Sequence, residues 1–98
     1  SNEIIEIEAD SRGAESMIRG TIRRINTRRE EVDIVVISSD LSQYAYGVEL
    51  TISIDEDDTL ITYRGSKGDF DDLSRNQEVL VFGYYDGYKF IVTEINVR

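Results

Sequence analysis

Alternation of apolar and polar residues with a period of two is the feature of this sequence that most constrains its fold. The clearest example is GVELTISID at residues 47–55, where apolar side chains occupy every second position. Successive side chains of a β-strand point to opposite faces, so this spacing predicts a strand with one buried and one wet face. Residues 17–25 alternate in the same way until the parity slips by one at Arg24. We therefore expect a long first strand that bends at Gly20, where another backbone approaches, and bulges near Arg24.

Three further segments have the composition of strands. EVDIVVIS at residues 31–38 has apolar residues on both parities, which predicts a strand that is covered on both sides over part of its length. TLITYR at residues 59–64 resumes an extended pattern after a run of acidic residues. Residues 78–97 form two apolar runs that are joined by Asp86 and Gly87. This dipeptide predicts a β-hairpin with a two-residue type I′ turn.

Helix signals are sparse and fit one short turn. Phe70 and Leu73 are three residues apart, and Asp69 is a suitable N-cap for a helical turn that would bury both. The order is then three strands, a short strand that continues or doubles the third, one helical turn and a hairpin. Because a small sheet with free edges would pair with its neighbours, we expect closure into a barrel. The predicted fold class is mostly all-β, a small closed antiparallel OB-like barrel of five or six strands.

The length and the charge distribution predict one folded domain with an acidic extension. A chain of 98 residues can bury a single core. Residues 1–16 contain five acidic residues against one arginine, with only a short alternation of isoleucines. We expect an arm or an added edge strand over residues 1–16 and the OB-like barrel over residues 17–98.

Missing residue types exclude much of enzyme chemistry. The chain has neither Cys nor His, so thiol nucleophiles, zinc–thiolate sites and Ser-His-Asp triads are impossible. Acid–base catalysis would fall to carboxylates, Lys or Tyr. A carboxylate–arginine site using Arg24, Glu49 and Arg64 is the remaining catalytic alternative, and no spacing singles these residues out. We expect a protein that is not an enzyme and that carries no cofactor.

Several segments resemble the small OB-like barrel domains of unknown function found in bacterial lipoproteins and secreted proteins. The resemblance rests on GTIRRI at residues 20–25, on the Asp58–Thr59 step before LITYRG, and on DLSRNQEVLVFGYYDGYKFIVTEINV at the C-terminal end. It covers about four fifths of the chain. Where such domains often have Gly before the penultimate strand, this chain has Asn76, which also tolerates left-handed backbone. The resemblance implies the barrel fold and an extracytoplasmic location.

The arginines between residues 19 and 29 support more than one interpretation. Five of the eleven basic residues lie in this window, although the formal net charge is −9. The arginines on the predicted strand are expected to pair with carboxylates of other strands, such as Asp33 or Glu49. The alternatives are single-stranded nucleic acid or another anionic ligand, such as an anionic oligosaccharide, bound on the face that carries the tyrosines and arginines. The acidic balance opposes nucleic acid, because phosphate binding depends on positive charge.

Tyrosines and arginines in the predicted loops form the candidate ligand-binding set. OB-folds bind oligonucleotides and oligosaccharides with the loop after strand one, the final hairpin loop and the face of strands two and three. Guanidinium groups and aromatic faces are suited to stacking against rings. Aromatic residues beside hairpins also occur as cross-strand pairs without any ligand. The candidate residues are Arg28, Arg29, Tyr44, Tyr46, Tyr63, Arg64, Tyr85 and Tyr88.

The acidic run DEDD at residues 55–58 offers only weak metal ligands. Counted from Asp55, an EF-hand loop requires Gly at its sixth position and Glu at its twelfth, where this chain has Leu60 and Ser66. We expect a solvated turn, with Asp55 and Asp57 as weak candidates for an irregular calcium site. No metal site is otherwise predicted.

The predicted function is an extracytoplasmic binding or interaction module whose partner is an unknown protein or small molecule. No apolar run approaches the roughly twenty residues that span a bilayer, so membrane contact is expected only through an upstream lipid anchor. Secretion or lipid anchoring is the first expectation and a cytoplasmic location the alternative. Nucleic acid is not the expected partner. A monomer or a weak homo-oligomer is expected, and a structural oligomerisation module is the remaining alternative.

Overall fold

The computed structural model describes residues 15–98 and confirms a mostly β fold. Most of the predicted N-terminal arm, residues 1–14, lies outside the described residues. Residues 15–98 contain no helix of the length and apolar character that crossing a membrane requires. The elements are β1 (Ser16–Asn26), β2 (Glu31–Ser39), β3 (Glu49–Ser53), β4 (Leu60–Tyr63), β5 (Ser66–Lys67), a 3-10 turn (Phe70–Asp72), β6 (Glu78–Tyr85) and β7 (Phe90–Val97).

The strands form one sheet, and the chain runs directly from β3 at one edge to β4 near the other edge. The hydrogen-bonded order is β3-β2-β1-β6-β7-β4-β5, antiparallel throughout except for the parallel pair β4–β7. Only residues 54–59 separate β3 from β4, and β3 also lies against β7. The prediction of five or six strands was slightly low, because the acidic turn interrupts one bent strand and β5 adds a short pair. Among the described strands, no hydrogen-bonded pairing joins β3 to β4 or β5, so the sheet is not fully closed, in contrast to the predicted closed barrel.

β1 bends and changes partners halfway along its length. Its register with β2 shifts after Arg19 and again after Ile22, which confirms the predicted bulged strand. A Cβ on Gly20 would lie 2.8 Å from the carbonyl oxygen of Val35, so the predicted close backbone approach is present. β1 pairs with β6 as far as Thr21, whereas its later residues pair with β2 alone. The second half of β1 therefore leaves one side open.

The core is one cluster of aliphatic and aromatic side chains inside the barrel. Alternation along residues 47–55 is confirmed, since Ile52 and Ile54 are buried and the preceding Val48 and Leu50 pack partly buried against the same cluster. Burial of such a side chain contributes roughly 1.5–3 kcal/mol. The largest fully buried side chains are Ile18, Ile22, Ile34, Ile52 and Ile95.

The predicted short helical turn is present as the 3-10 turn Phe70–Asp72. Asp69 is its N-cap, accepting a hydrogen bond from the backbone N–H of Asp71 at 3.0 Å. The Asp72 carboxylate accepts one from the N–H of Asp69 at 2.9 Å, which completes a capping box. Phe70 and Leu73 are both buried. Two apolar side chains thus fasten this link to the core.

The hairpin is present, but the predicted two-residue turn at Asp86 and Gly87 is wrong. β6 ends at Tyr85 and β7 begins at Phe90, so the loop has four residues, 86–89. The Asp86 carboxylate accepts hydrogen bonds from the N–H groups of residues 88 and 89 at 2.8 and 2.9 Å. Those bonds lower the pKa of Asp86. The Asp86 carboxylate thus accepts hydrogen bonds in place of the backbone carbonyl that would accept in a two-residue turn.

Candidate ligand-binding surface

Arginines on β1 pair with carboxylates of other strands, which confirms the charge-balancing interpretation for three of the five in the window. The hydrogen bond from Arg19 Nε to Glu78 lowers the pKa of Glu78 and raises that of Arg19. All three pairs are solvent-exposed, where ion pairs contribute little to stability. The nitrogen–oxygen distances are 2.7 Å for Arg19–Glu78, 3.5 Å for Arg23–Glu49 and 3.8 Å for Arg24–Asp33.

Arg28 and Arg29 lie in the turn between β1 and β2 and are exposed. Within residues 15–98 no carboxylate approaches either guanidinium to 4 Å. The turn is held by the N–H of Arg29, which donates to Asn26 Oδ1 at 3.0 Å. The hairpin lies beside the opposite end of β1, where Ser16 pairs with Gly83. Eleven strand residues extend over about 35 Å, so the structure does not bring these arginines to the hairpin tyrosines.

Four of the predicted tyrosines lie in or beside two loops, and we call them the aromatic loop surface: Tyr44 and Tyr46 in loop 40–48, Tyr85 at the end of β6, and Tyr88 in the hairpin loop. Loop 40–48 contacts the hairpin through Tyr44, whose ring centroid lies 6.4 Å from that of Tyr85 in an edge-to-face arrangement. Tyr46 and Tyr88 are 82% and 91% exposed. The surface therefore combines a packed aromatic contact with two nearly free rings.

Tyr44 is the residue that fixes the two loops against each other. Its ring also meets Phe90 edge to face, with centroids 6.0 Å apart. The Ser39 hydroxyl donates to the Tyr44 carbonyl oxygen at 2.6 Å, which holds the start of the loop. Partial burial, and then the neighbouring Tyr85, raise the pKa of Tyr44. Since Tyr85 and Phe90 are also a register pair of the hairpin, the cross-strand aromatic interpretation holds for these two rings.

Tyr63 and Arg64 pair with each other instead of joining the other tyrosines. The Arg64 guanidinium lies 5.4 Å from the ring centroid of Tyr63, within the range of a cation–π contact. Tyr63 packs partly buried against the core, and Arg64 follows it with a positive φ of 52° at the turn into β5. One face of this ring is already occupied by a cation.

An open groove of about 1170 Å³, which the sequence did not predict, lies beside the second half of β1. It runs between the second half of β1, the middle of β2 and the segment 70–76. Buried apolar residues such as Ile22, Phe70 and Leu73 line it. Its charged lining residues are Arg23, Arg24, Arg75 and Asp71, and Tyr46 of the aromatic loop surface also lines it. We call this site the arginine groove.

The acidic turn at residues 55–58 uses its carboxylates to hold its own backbone. Asp55 Oδ1 accepts a hydrogen bond from the N–H of Asp57 at 3.0 Å, and the Asp55 carbonyl accepts one from Asp58. Glu56 accepts one from the backbone N–H of Phe70 at 3.1 Å. In the part of the chain that the structure describes, no group of three His, Cys, Asp or Glu side chains is arranged to hold a metal ion. This geometry is that of a capped turn.

The alternative catalytic residues have separate partners. Arg24 pairs with Asp33, Glu49 with Arg23, and Arg64 covers Tyr63. The geometry does not join them into one carboxylate–arginine site.

Comparison with known proteins finds likeness in structure alone. No protein-family model matches the chain, and no curated protein matches its sequence. Solved structures of CusF from Escherichia coli have the same fold. The apo form shares 11% identity at a TM-score of 0.64, over 91% of this chain and 93% of that one. The Ag(I) form gives 11% and 0.65 over 91% and 98%, and a CusF variant with Cu(II) gives 12% and 0.64 over 86% and 91%.

Proposed function

We propose that this protein is a non-enzymatic binding module that holds an oligosaccharide on the aromatic loop surface. The observation that carries the proposal is the exposure of Tyr46 and Tyr88, two large rings that contribute almost nothing to the core. Exposed tyrosines offer a broad apolar face beside a hydroxyl group and lose little conformational entropy on contact. The edge-to-face contact between Tyr44 and Tyr85 packs loop 40–48, which carries Tyr46, against the hairpin, which carries Tyr88.

Sugars suit this surface better than other ligands of OB-like barrels. Such barrels bind oligonucleotides and oligosaccharides with their loops and the face of strands two and three. A sugar ring presents C–H groups to an aromatic face and hydroxyls to polar side chains. The net charge of −9 opposes a polyphosphate chain, because counterion release requires positive charge. An extracytoplasmic location, secreted or lipid-anchored, is part of the proposal and agrees with a sugar ligand.

Metal transport is not part of the proposal, although CusF structures with the same fold hold Ag(I) and Cu(II). Soft ions such as Ag(I) are bound by Cys and Met, and Cu(II) favours imidazole. This chain has no Cys, no His and a single Met at position 17. The donor set does not fit those ions. The likeness is therefore one of fold.

Binding to neutral hexasaccharides tests the proposal. Hexa-N-acetylchitohexaose, cellohexaose and maltohexaose are titrated into the ¹⁵N-labelled protein, and amide shifts in loops 40–48 and 86–89 are followed. At least one sugar is expected to give saturable shifts there. The double variant Tyr46→Ala/Tyr88→Ala is expected to weaken binding about tenfold, since ring stacking contributes about 1–3 kcal/mol per ring in comparable sites. Leu60→Ala, an exposed apolar residue on β4, is the matched control. Equal affinity in the tyrosine variant and the parent would refute the proposal.

Single-stranded nucleic acid is the second candidate, favoured by the exposed Arg28 and Arg29, which have no carboxylate within 4 Å in residues 15–98. A titration with single-stranded DNA over a salt series decides it, because phosphate binding weakens steeply as salt rises. Absence of binding at low salt removes this candidate. Light scattering against the monomer mass of 11.2 kDa separately tests the expectation of a monomer or weak oligomer.

A further inference from the structure

We infer that the arginine groove is a second part of the binding site, and that the oligosaccharide is acidic, carrying carboxylate or sulfate groups. The inference deepens the proposed function, on which it rests for the sugar backbone of the ligand. It assigns a recognition role to Arg23, Arg24 and Arg75.

Charge distribution is the first argument. The lining of the groove has three arginines and one carboxylate, Asp71, in a chain with nearly twice as many acidic as basic residues. The field inside a cleft is governed by its own lining more than by the net charge of the protein. Glu49 and Asp33 lie outside the lining but within 4 Å of Arg23 and Arg24, so the excess of arginines concerns the groups that face the groove.

Availability of the guanidinium groups is the second argument. Arg23 and Arg24 reach their carboxylates only at 3.5 and 3.8 Å, with side chains 63% and 70% exposed. Arg19, outside the groove, makes a 2.7 Å contact and is 44% exposed. No carboxylate within residues 15–98 lies within 4 Å of the guanidinium of Arg75. Because a guanidinium carries five N–H donors, a single loose ion pair leaves most of them for a ligand.

Continuity with the aromatic loop surface is the third argument. Tyr46 belongs to that surface and also lines the groove. The N–H of Gly47 donates to the carbonyl of Val36 at 2.8 Å, which holds the backbone beside Tyr46 against β2. One ligand can therefore contact the Tyr46 ring and the arginines in the groove.

The volume and the lining of the arginine groove are the fourth argument, and they favour an acidic sugar. A groove of about 1170 Å³ exceeds the usual range of about 300–1,000 Å³ for a small-molecule pocket. It has room for several sugar units. Asp71 also lines the groove, so the ligand has to place a hydroxyl or another uncharged group beside it. Acidic sugars combine spaced charges with rings that the tyrosines can cover.

The test measures the affinity of acidic and of neutral hexasaccharides for a groove variant and for a control variant. The probes are hexagalacturonate, which carries carboxylates, a heparin-derived hexasaccharide, which carries sulfates, and the neutral hexasaccharides described above. The groove variant is Arg23→Gln/Arg24→Gln/Arg75→Gln. Its control, Arg19→Gln/Lys67→Gln/Arg98→Gln, removes the same three charges outside the groove. Circular dichroism and amide spectra confirm that each variant is folded before its affinities are measured.

We expect the groove variant to lose about tenfold or more in affinity for at least one acidic probe, as expected for charge-assisted hydrogen bonds. The control is expected to change by less than about threefold, in keeping with the small effect of exposed charges, and binding of neutral sugars is expected to stay as in the parent. Comparison of the two acidic probes separates carboxylate from sulfate recognition. Equal loss in the groove variant and its control overturns the inference. An ineffective tyrosine variant overturns the proposed function instead, and tighter binding of single-stranded DNA than of either acidic sugar overturns both.

Discussion

The two halves of β1 have nearly the same sequence pattern but different environments. Residues 16–21 are hydrogen-bonded to β2 on one side and to β6 on the other, and their arginine, Arg19, makes a short bond to Glu78. Residues 24–26 pair with β2 alone, and the arginines at positions 23 and 24 hold their carboxylates loosely beside an open groove. The short contact with Glu78 gives Arg19 a structural role, whereas the looser contacts leave Arg23 and Arg24 available for the binding role proposed above.

The bend between the halves creates the difference. Asn76, in left-handed backbone with φ of 73°, donates its N–H to the carbonyl of Ile22 at 2.7 Å. That bond ties the segment after the 3-10 turn to β1 where β6 ends its pairing. Arg75 is thereby placed beside the second half of the strand. The groove follows from this change of neighbours.

The largest expected effect tests whether both halves are equally anchored in the core. Ile18 and Ile22 are fully buried, one in the first half and the other at the bend. We expect Ile18→Ala and Ile22→Ala each to lower the free energy of unfolding by about 3 kcal/mol, because each leaves a cavity. Urea denaturation measures the change, with the half-exposed Leu60→Ala as control. A much smaller effect at Ile22 would show that the second half is held less firmly.

A slightly smaller effect is expected where β1 first shifts its register. In Gly20→Ala the new Cβ would meet the Val35 carbonyl oxygen at 2.8 Å, so one backbone must move. We expect a loss of about 2 kcal/mol in unfolding free energy, as for other overpacked sites. Ser53→Ala on the exposed face of β3 is the control, expected within about 0.5 kcal/mol of the parent. Unchanged stability in Gly20→Ala would mean that the bend does not depend on close backbone contact.

The third expected effect is a weaker one on stability, and it distinguishes Arg19 from Arg23. Arg19→Gln removes a short bond to Glu78, whereas Arg23→Gln removes only a loose contact with Glu49. We expect the urea midpoint to fall more in Arg19→Gln than in Arg23→Gln, and 0.5 M NaCl to reduce the difference, because salt screens exposed charges. The reverse order would contradict the division of β1 into a structural and a binding half.

The smallest expected effect is a change in the pKa of Glu78, the partner of Arg19 in the first half of β1. The hydrogen bond from Arg19 lowers the pKa of Glu78 below its ordinary value of 4.5. A carboxyl with a lowered pKa in the folded protein stabilises the fold above pH 4.5, and that contribution is lost as the pH falls through the folded value. Carboxyl NMR should place the Glu78 midpoint below 4.5 in the parent and nearer to it in Arg19→Gln. Equal midpoints would mean that the bond does not persist in solution.

The strands could be predicted from the sequence because each buries every second side chain. Residues 47–55 and the two runs of the hairpin carried that signal, and Asp69 before Phe70 indicated the 3-10 turn. The bend in β1 also followed in outline, since Gly20 indicated the close backbone approach and Asn76 the left-handed backbone. The four-residue hairpin loop was missed because Asp86 satisfies two amide groups with its side chain.

The site was less predictable than the fold. The sequence indicated the tyrosines on the loops, and the structure brings Tyr44 and Tyr85 together. It gave no sign of the groove, because Arg75 is far from Arg24 in the chain and comes near it only when the segment after the 3-10 turn returns to β1. Proximity of that kind depends on strand register, which residue spacing alone does not encode.

The join between β3 and β4 has a consequence for the integrity of the barrel. Here the wall is continuous through covalent bonds of residues 54–59, and the Thr59 hydroxyl fastens it to the Val92 carbonyl at 3.0 Å. Circular permutation in this acidic turn would remove that covalent link and leave β3 paired to the sheet by its hydrogen bonds to β2 alone. Unpaired edges can recruit strands from other molecules, so the covalent link restrains an edge strand that the ladder leaves unpaired on one side.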